Sequence, residues 1–383
     1  MPSAFLEVFF WVCLFLVVYA YLGYPLLLAL WARGEEKKAD AEAPSISMIV
    51  AAHNEEAVIE SKIRNAIAQD YPEDRLEIVV VSDGSSDGTE AFVRGVEDSR
   101  VRLVVQSPRQ GKNQALNRGA AVARGEVLVF TDANAMLGPL ALRKLVAPFS
   151  DARIGLVSGR GLYGGSDPIS PEAVSNAYVR YESFIKSRES SLGFVAAADG
   201  ALYALRRELY RALEWNQVHD LMHPIQVSIE GKRSAFVPEA FTVEPPSRDA
   251  SVEFRRHVRI IAQGFLVYLG QLPRLLEKGK WRELVLLTSH RPLRWLSSFF
   301  LAGALLSNVA LAPSSRFYAA LLASQVLFYL AAGLGAAFER ADVRLRLLAV
   351  PYYFCVVSAA GLSGFLHFLR GRGHASWAPT GGS

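Results

Sequence analysis

The chain has 383 residues, 51% of them hydrophobic, and a formal net charge of +4. This length holds one sizeable domain with membrane elements, or two domains, and so small a basic excess gives no case for nucleic-acid binding. The two cysteines, Cys13 and Cys355, both lie inside apolar runs, which excludes a disulfide framework or a thiolate metal site and suits a reducing compartment.

Hydrophobicity is concentrated at the two ends. Residues 8–31 contain no charged side chain, and at 1.5 Å rise per residue the run is roughly long enough to cross a bilayer. It lacks the basic start and small-residue cleavage site of a signal peptide and is too long for one. Arg33, Lys37 and Lys38 follow directly, so the positive charge places the rest of the chain in the cytosol. A short apolar strand is then expected over 46–52. The helix after it carries Ile59, Ile63 and Ile67 at helical spacing, with Glu55 and Glu56 near its start. A second strand over 76–81 leads into Asp83-Gly84-Ser85-Ser86-Asp87-Gly88. A third spans 101–106, a helix runs through 115–123, and a fourth strand over 127–130 leads into Thr131-Asp132-Ala133-Asn134. Strands alternating with helices imply a parallel sheet. Ligands of such sheets bind beyond the carboxyl ends of the strands, where both acidic turns fall. Residues 254–276 interleave Arg255, Arg256 and Arg259 with apolar side chains. That is the pattern of a basic amphipathic helix at the inner membrane surface, or of a helix packed on the domain ahead of the spans. Further apolar runs cover 295–312, 317–338 and 347–369. Four spans put the C-terminus outside, although Arg370 and Arg372 after the last of them favour the inside.

The stretch IVAAHNEEAVIESKIRNAIAQDYPEDRLEIVVVSDGSSDGT resembles the opening of the inverting family 2 glycosyltransferases, and GKNQALNRGAAVARGEVLVFTDAN resembles their second acidic region. GALYALRREL and HDLMHPIQVSIEGKRSAFVPEA resemble the donor-loop and catalytic-base regions, so order and spacing match over residues 46–260. SHRPLRW, ahead of the C-terminal runs, is similar to the membrane synthases of hyaluronan, chitin and poly-N-acetylglucosamine. The resemblance implies an α/β domain of GT-A fold, with a Rossmann-like, mostly parallel sheet, over 44–246. An anchor and linker over 1–43 would precede it. Interfacial helices over 247–292, spans over 293–370 and a tail over 371–383 would follow. The implied activity is inverting transfer of a hexosyl or N-acetylhexosaminyl group from a nucleotide sugar, a UDP-sugar in the first instance. The acceptor would be a saccharide or lipid-linked saccharide at the inner face of a bacterial cell membrane, with partner subunits of a polysaccharide assembly system also implied. Single-sugar transfer to a polyprenyl phosphate, and a catalytically weak scaffold subunit, are the alternatives.

Such transfer must deprotonate an acceptor hydroxyl and stabilise charge on the departing diphosphate, the second task suiting a hard divalent cation held by carboxylates. The resemblance assigns Asp83 to the nucleoside, with Ala51, His53 and Glu55 beside it. Asp132 and Asn134 fall at the diphosphate and a metal, Mg2+ or Mn2+. Lys112, at a helix start, falls near the ribose or phosphates. Asp220 takes the general-base position, and Gly200, Arg256 and Arg259 the acceptor and diphosphate region. Plainer readings exist: Asp83 and Asp87 as turn formers, Asp132 as a helix N-cap, Lys112 and Asp220 as solvated helix charges. Three positions depart from the family pattern. Asn134 is a neutral amide, which lowers ligand charge. His219 precedes the base where many relatives have an acid. Ile260 stands where processive relatives have the Trp of Gln-x-x-Arg-Trp, which keeps Arg259 but loses an aromatic face and points to short products. Two other patterns carry less. Gly159-Arg160-Gly161-Leu162-Tyr163-Gly164 has dinucleotide-fingerprint spacing, but Gly165-Ser166-Asp167-Pro168 follows where a helix should open. His219 and His223 lie one helical turn apart, but no Glu adjoins His219 and Pro224 ends the pattern.

Overall fold

The computed structural model describes residues 2–31, 42–164, 171–245, 250–340 and 346–371. Arg33, Lys37, Lys38, residues 165–168, Arg344 and Arg372 lie outside the described residues. The strands are β1 Ile46–Ala52, β2 Leu76–Asp83, β3 Val101–Gln106, β4 Val127–Asp132, β5 Met136–Leu137, β6 Ile154–Tyr163, β7 Leu202–Arg206 and β8 Arg233–Glu244. The helices within this region are α3 Glu56–Ile67, α4 Thr89–Arg94, α5 Lys112–Val122, α6 Ala141–Val146, α7 Pro171–Ser191 and α8 His219–Ile229. Ahead of them lie α1 Pro2–Val18 and α2 Tyr24–Trp31. After them come α9 Ala250–Glu277, α10 Trp281–His290, α11 Pro292–Trp295, α12 Ser297–Leu311, α13 Arg316–Arg340 and α14 Arg346–Leu369.

The strands form one eight-stranded sheet in the order β3-β2-β1-β4-β7-β6-β8-β5. β1 is parallel to β2 and β4, β2 to β3, and β6 to β8. β7 runs antiparallel between β4 and β6, and β5 antiparallel to β8, so the sheet is mixed. β1 is buried along its whole length, as a central parallel strand covered on both faces must be. Its side chains alternate between two cores. Ile49 and Ala51 join Val79, Phe130 and Tyr203, while Met48 and Val50 join Ile59, Ile63 and Val129. The Gly159–Gly164 pattern lies along β6 and its end, not at a helix start.

Among the described residues, four helices are long and apolar enough to cross a membrane: Ala4–Trp31, Ser297–Ser314, Arg316–Glu339 and Leu347–Leu369. The first is continuous with the domain, because Tyr24 and Leu28 of α2 belong to the same core as Ile49 and Val79. A π-helical turn, Tyr19–Gly23, joins α1 to α2, with the Tyr24 amide bonded to the Tyr19 carbonyl. The irregularity has a sequence cause. Pro25 has no N–H to give to the carbonyl of Tyr21, and that carbonyl instead accepts from the Tyr181 hydroxyl at 2.6 Å.

α9 spans the stretch where the basic amphipathic pattern falls, and its apolar face is covered. Val258, Ile261 and Phe265 pack with Ala360, and Phe365 and Phe368 close around them. A side chain at Gly364 would collide with Ile261, and one at Gly361 with the Trp295 carbonyl. The last turns of α14 therefore run beside the first half of α9. The far end of α9 places Leu275 in the domain core. The end of α14, packed on a helix whose far end reaches the domain core, favours a C-terminus on the side of the α/β domain, as Arg370 does. Reporters fused near Gly231 and after Ser383 are predicted to signal the same side of the membrane. Opposite signals would mean that α14 crosses fully and that its packing on α9 is not the membrane-embedded arrangement.

Candidate active site

The turns after β1 and β2 are stitched to each other. His53 Nδ1 donates to the Asp83 carbonyl at 2.8 Å. Asn54, with φ of 54° in a region Asn tolerates, accepts from the Ser86 amide at 2.8 Å and donates its own amide to Ser85 Oγ at 3.1 Å. Asp87 is spent on this turn, accepting from the amides of Glu56 and Thr89. Asp83 has no exposed surface. Its Oδ1 accepts from Gln106 Nε2 and the Gln110 amide, both at 2.7 Å, and its Oδ2 from the Gly111 amide at 2.8 Å. In this structure its carboxylate holds the 107–111 loop that launches α5, and direct contact with a nucleoside requires that loop to exchange partners.

Lys112 opens α5, and its Nζ donates to Asp132 Oδ1 at 2.5 Å. β5, not a helix, follows Asp132, so the aspartate is no helix N-cap. Beneath it lies Lys62, wholly buried. Its Nζ donates to Thr131 Oγ1 at 2.8 Å and to the Ala135 carbonyl, fixing both ends of the acidic turn. Burial pushes the Lys62 amine down to about 7, against the pull of Asp132 and Glu244. Two more carboxylates face Asp132. Burial, then Asp132 and Asp87, push Glu55 up to about 7, with Lys112 opposing. Burial and Asp132 push Glu244, at the end of β8, up to about 7 as well, with Arg256 opposing. Burial draws the Arg259 guanidinium down, as does Arg256, while Asp132 opposes. The two arginines of α9 therefore line the same cleft as the acids.

The third wall is the segment before β7 and the start of α8. Asp199 Oδ2 accepts from the Gly161 amide at 2.8 Å. Gly200 lies beside Asp220 and His219: a Cβ there would be 3.4 Å from Asp220 Oδ2 and 3.5 Å from His219 Cε1, ordinary contact distances. The Asp220 carbonyl accepts from the Ala198 amide at 2.8 Å. Asp220 is half-buried on a helix most of whose residues are buried, and its Oδ1 is buried with no hydrogen-bond partner among the described residues. Burial raises its carboxyl, while Arg291, Lys186 and Lys112 draw it back and Asp199 adds to the rise. Burial, then Lys112, His223 and Arg259, hold His219 well below the ordinary imidazole value, so it is neutral and stacks on the Tyr203 ring at 5.7 Å. His223 shares a 2.9 Å hydrogen bond with the Tyr203 hydroxyl through Nδ1.

The structure thus brings Glu55, Lys112, Asp132, Glu244, Arg256 and Arg259 within electrostatic reach of one another, and Lys112 within reach of Asp220 beside Gly200. Ala51 pairs with Asp132, His53 bonds the Asp83 carbonyl, and the Asp83 carboxylate lies behind the 107–111 loop. Sequence reasoning misses Lys62, Asp199, Lys186 and Arg291. Lys62 had a signal, since residues 59, 62, 63 and 66 form the buried stripe of α3. Among the described residues, no group of three or more His, Cys, Asp or Glu side chains is gathered closely enough to hold a metal alone. Mg2+-type ions are commonly held by one or two carboxylates plus substrate phosphates. The surplus of acid around Asp132 fits a cation shared in that way with a diphosphate.

Residues 47–213 match the family described as Glycosyl transferase family 2. "Probable glycosyltransferase YdaM" of Bacillus subtilis (strain 168) is 28% identical over 229 residues, covering 57% of this chain and 54% of that protein. The beta-monoglucosyldiacylglycerol synthase of Trichormus variabilis is 26% identical over 190 residues, covering 48% of this chain and 41% of that protein. The chain spans about half the length of the curated relatives it matches. Among solved structures, the mannosyltransferase PcManGT from Pyrobaculum calidifontis, in complex with GDP-Man and Mn2+, superimposes with a TM-score of 0.70 at 24% identity. It covers 94% of this chain and 99% of that one, helices at both ends included. Residues 47–213 thus carry the sequence pattern of glycosyl transferase family 2, within a chain whose fold is GT-A-like and framed by apolar helices.

Proposed function

We propose that the chain transfers a sugar, with inversion, from a nucleotide-sugar donor to a saccharide or lipid-linked acceptor at the cytosolic face of a membrane. Residues 44–246 act as the transferase domain and the flanking apolar helices hold it there. One observation carries this reading: Lys112, ion-paired with Asp132, also acts on a half-buried Asp220 whose Oδ1 is buried and unpartnered among the described residues. Asp220 accepts the proton of the acceptor hydroxyl as that oxygen attacks the anomeric carbon, and the diphosphate leaves from the opposite side. Burial raises its basicity, while Arg291, Lys186 and Lys112 keep the ionised form accessible. Lys112, Arg256 and Arg259 supply positive charge to the diphosphate. Asp132 and the Asn134 amide would hold the divalent cation, which supplies further charge neutralisation on the leaving group. A lipid-linked acceptor is favoured over a soluble one, because the arginines that face the cleft are on the helix that packs beside α14.

Three outcomes test this reading. Chelator is expected to stop transfer, and Asn134→Asp to lower the metal concentration that gives half-maximal rate. Full activity in chelator would leave the diphosphate to the basic side chains alone. Glu55 and Glu244 titrate at about 7. Metal binding is therefore predicted to tighten as pH rises through that value, since each lost proton adds negative charge beside the ion. Titration of Mn2+ binding about one unit either side checks it, and a pH-independent affinity would contradict it. Asp220→Asn keeps shape but loses basicity. It is expected to cut transfer by roughly a hundred- to ten-thousandfold with donor binding near normal, and His219→Ala should do far less. A folded, donor-binding Asp220→Asn protein working at the wild-type rate would move the base to Glu239 or Glu244.

A further inference from the structure

SHRPLRW has no place in the chemistry above, yet it holds the most heavily charged buried cluster among the described residues. Glu189 and His290 have no exposed surface, and Glu182 and Arg294 have less than a tenth of theirs. Glu189 Oε1 accepts from the Tyr24 hydroxyl at 2.5 Å and shares a hydrogen bond with His290 Nδ1 at 2.8 Å. His290 Nε2 shares one with Glu182 Oε2 at 3.0 Å, and Glu182 Oε1 accepts from Arg294 Nη1 at 2.5 Å. Both ring nitrogens of His290 thus face carboxyl oxygens. The cluster holds two carboxyl groups, an imidazole and a guanidinium. Arg291 adds another cation at 3.6 Å from Glu182.

The cluster touches the membrane helix on one side. Arg294 Nε donates to the Ala20 carbonyl at 3.3 Å and Nη2 to the Tyr181 hydroxyl at 3.0 Å, and its guanidinium lies over the rings of Tyr21 and Tyr181. The π-helical turn and Pro25 leave the carbonyls of Ala20 and Tyr21 available for these bonds. On the other side the cluster touches the cleft. Glu189 Oε2 accepts from the Ala196 amide at 3.1 Å. Two residues on, the Ala198 amide holds the Asp220 carbonyl, and the chain continues into Asp199 and Gly200. Buried ion clusters are poor sources of stability, because desolvation offsets their attraction. They do fix geometry, since each partner has one place to be.

We infer that Glu182, Glu189, His290 and Arg294 form a charged clamp that sets Asp220 through the 194–200 segment and keys that setting to the seating of the N-terminal membrane helix. These are positioning residues, and the inference rests on the reading of Asp220 as the base.

The test uses the full chain in lipid nanodiscs, reading transfer kcat, donor KM and melting midpoint for Tyr24→Phe, His290→Gln, Asp220→Asn and the paired variants. Tyr24→Phe removes one hydroxyl outside the cleft and is expected to lower kcat about three- to tenfold, with donor KM unchanged. His290→Gln should lower it further. Combined with Asp220→Asn, neither change should slow the residual rate, because groups acting as one unit are non-additive. A lowered melting midpoint with unchanged kcat per folded molecule would overturn the clamp, as would a double variant slower by the product of the single effects. Should His290→Gln not fold, the Tyr24→Phe pair carries the same comparison. The base reading fails separately, through a fully active Asp220→Asn single variant.

Discussion

Asp132 stands where Glu55 and Glu244 also point inward, and the mutual repulsion of these carboxylates shapes everything around them. Unlike charges do not cancel by default in a buried cleft, because burial penalises each ion before any partner helps. The chain responds with cations placed in layers. Lys62 sits under the turn and bonds its backbone and Thr131, Lys112 bonds Asp132 directly, and Arg256 and Arg259 approach from α9. What remains is a cleft that still gains from added positive charge near Asp132 and from added negative charge near the arginines. In the proposed reaction a diphosphate arriving with a divalent cation would supply both at once, and the Lys112–Asp132 pair would be a resting arrangement that substrate rearranges.

The first half of the sheet is legible in the sequence, and the second half is not. β1 and β3 have the bounds that their apolar runs predict, and β2 and β4 extend two residues further, to Asp83 and Asp132. Those extensions matter, since they put each aspartate on a paired strand end, Asp83 opposite Gln106 and Asp132 opposite Ala51, and not in a free turn. β6 and β8 escape notice because they are long and their pairing is broken by register shifts, so no clean period of two survives. The antiparallel insertion of β7 has no signal at all in its own residues. It is decided by the pairing of Phe130 with Tyr203 across the sheet.

The cleft was similarly half visible. Residue types at strand ends could be read, because acids in small-residue turns are conspicuous. Partners across long sequence separations could not. Lys62 and Thr131 are 69 residues apart, and His290 and Glu182 are 108 apart. The membrane helices show the same limit from the other side. Apolar length finds all four, but whether α14 crosses depends on what covers its face, and Val258, Ile261 and Phe265 cover it.

Inversion at the anomeric carbon is the direct consequence of a base facing the departing diphosphate across the sugar. The decisive measurement is proton NMR of the product formed by purified protein from a panel of nucleotide sugars, with released nucleotide counted in parallel. One nucleoside diphosphate per linked sugar, and an anomeric configuration opposite to that of the donor, is the result this account predicts. A product that keeps the donor's configuration would contradict the account, as would nucleotide released with no sugar joined to an acceptor.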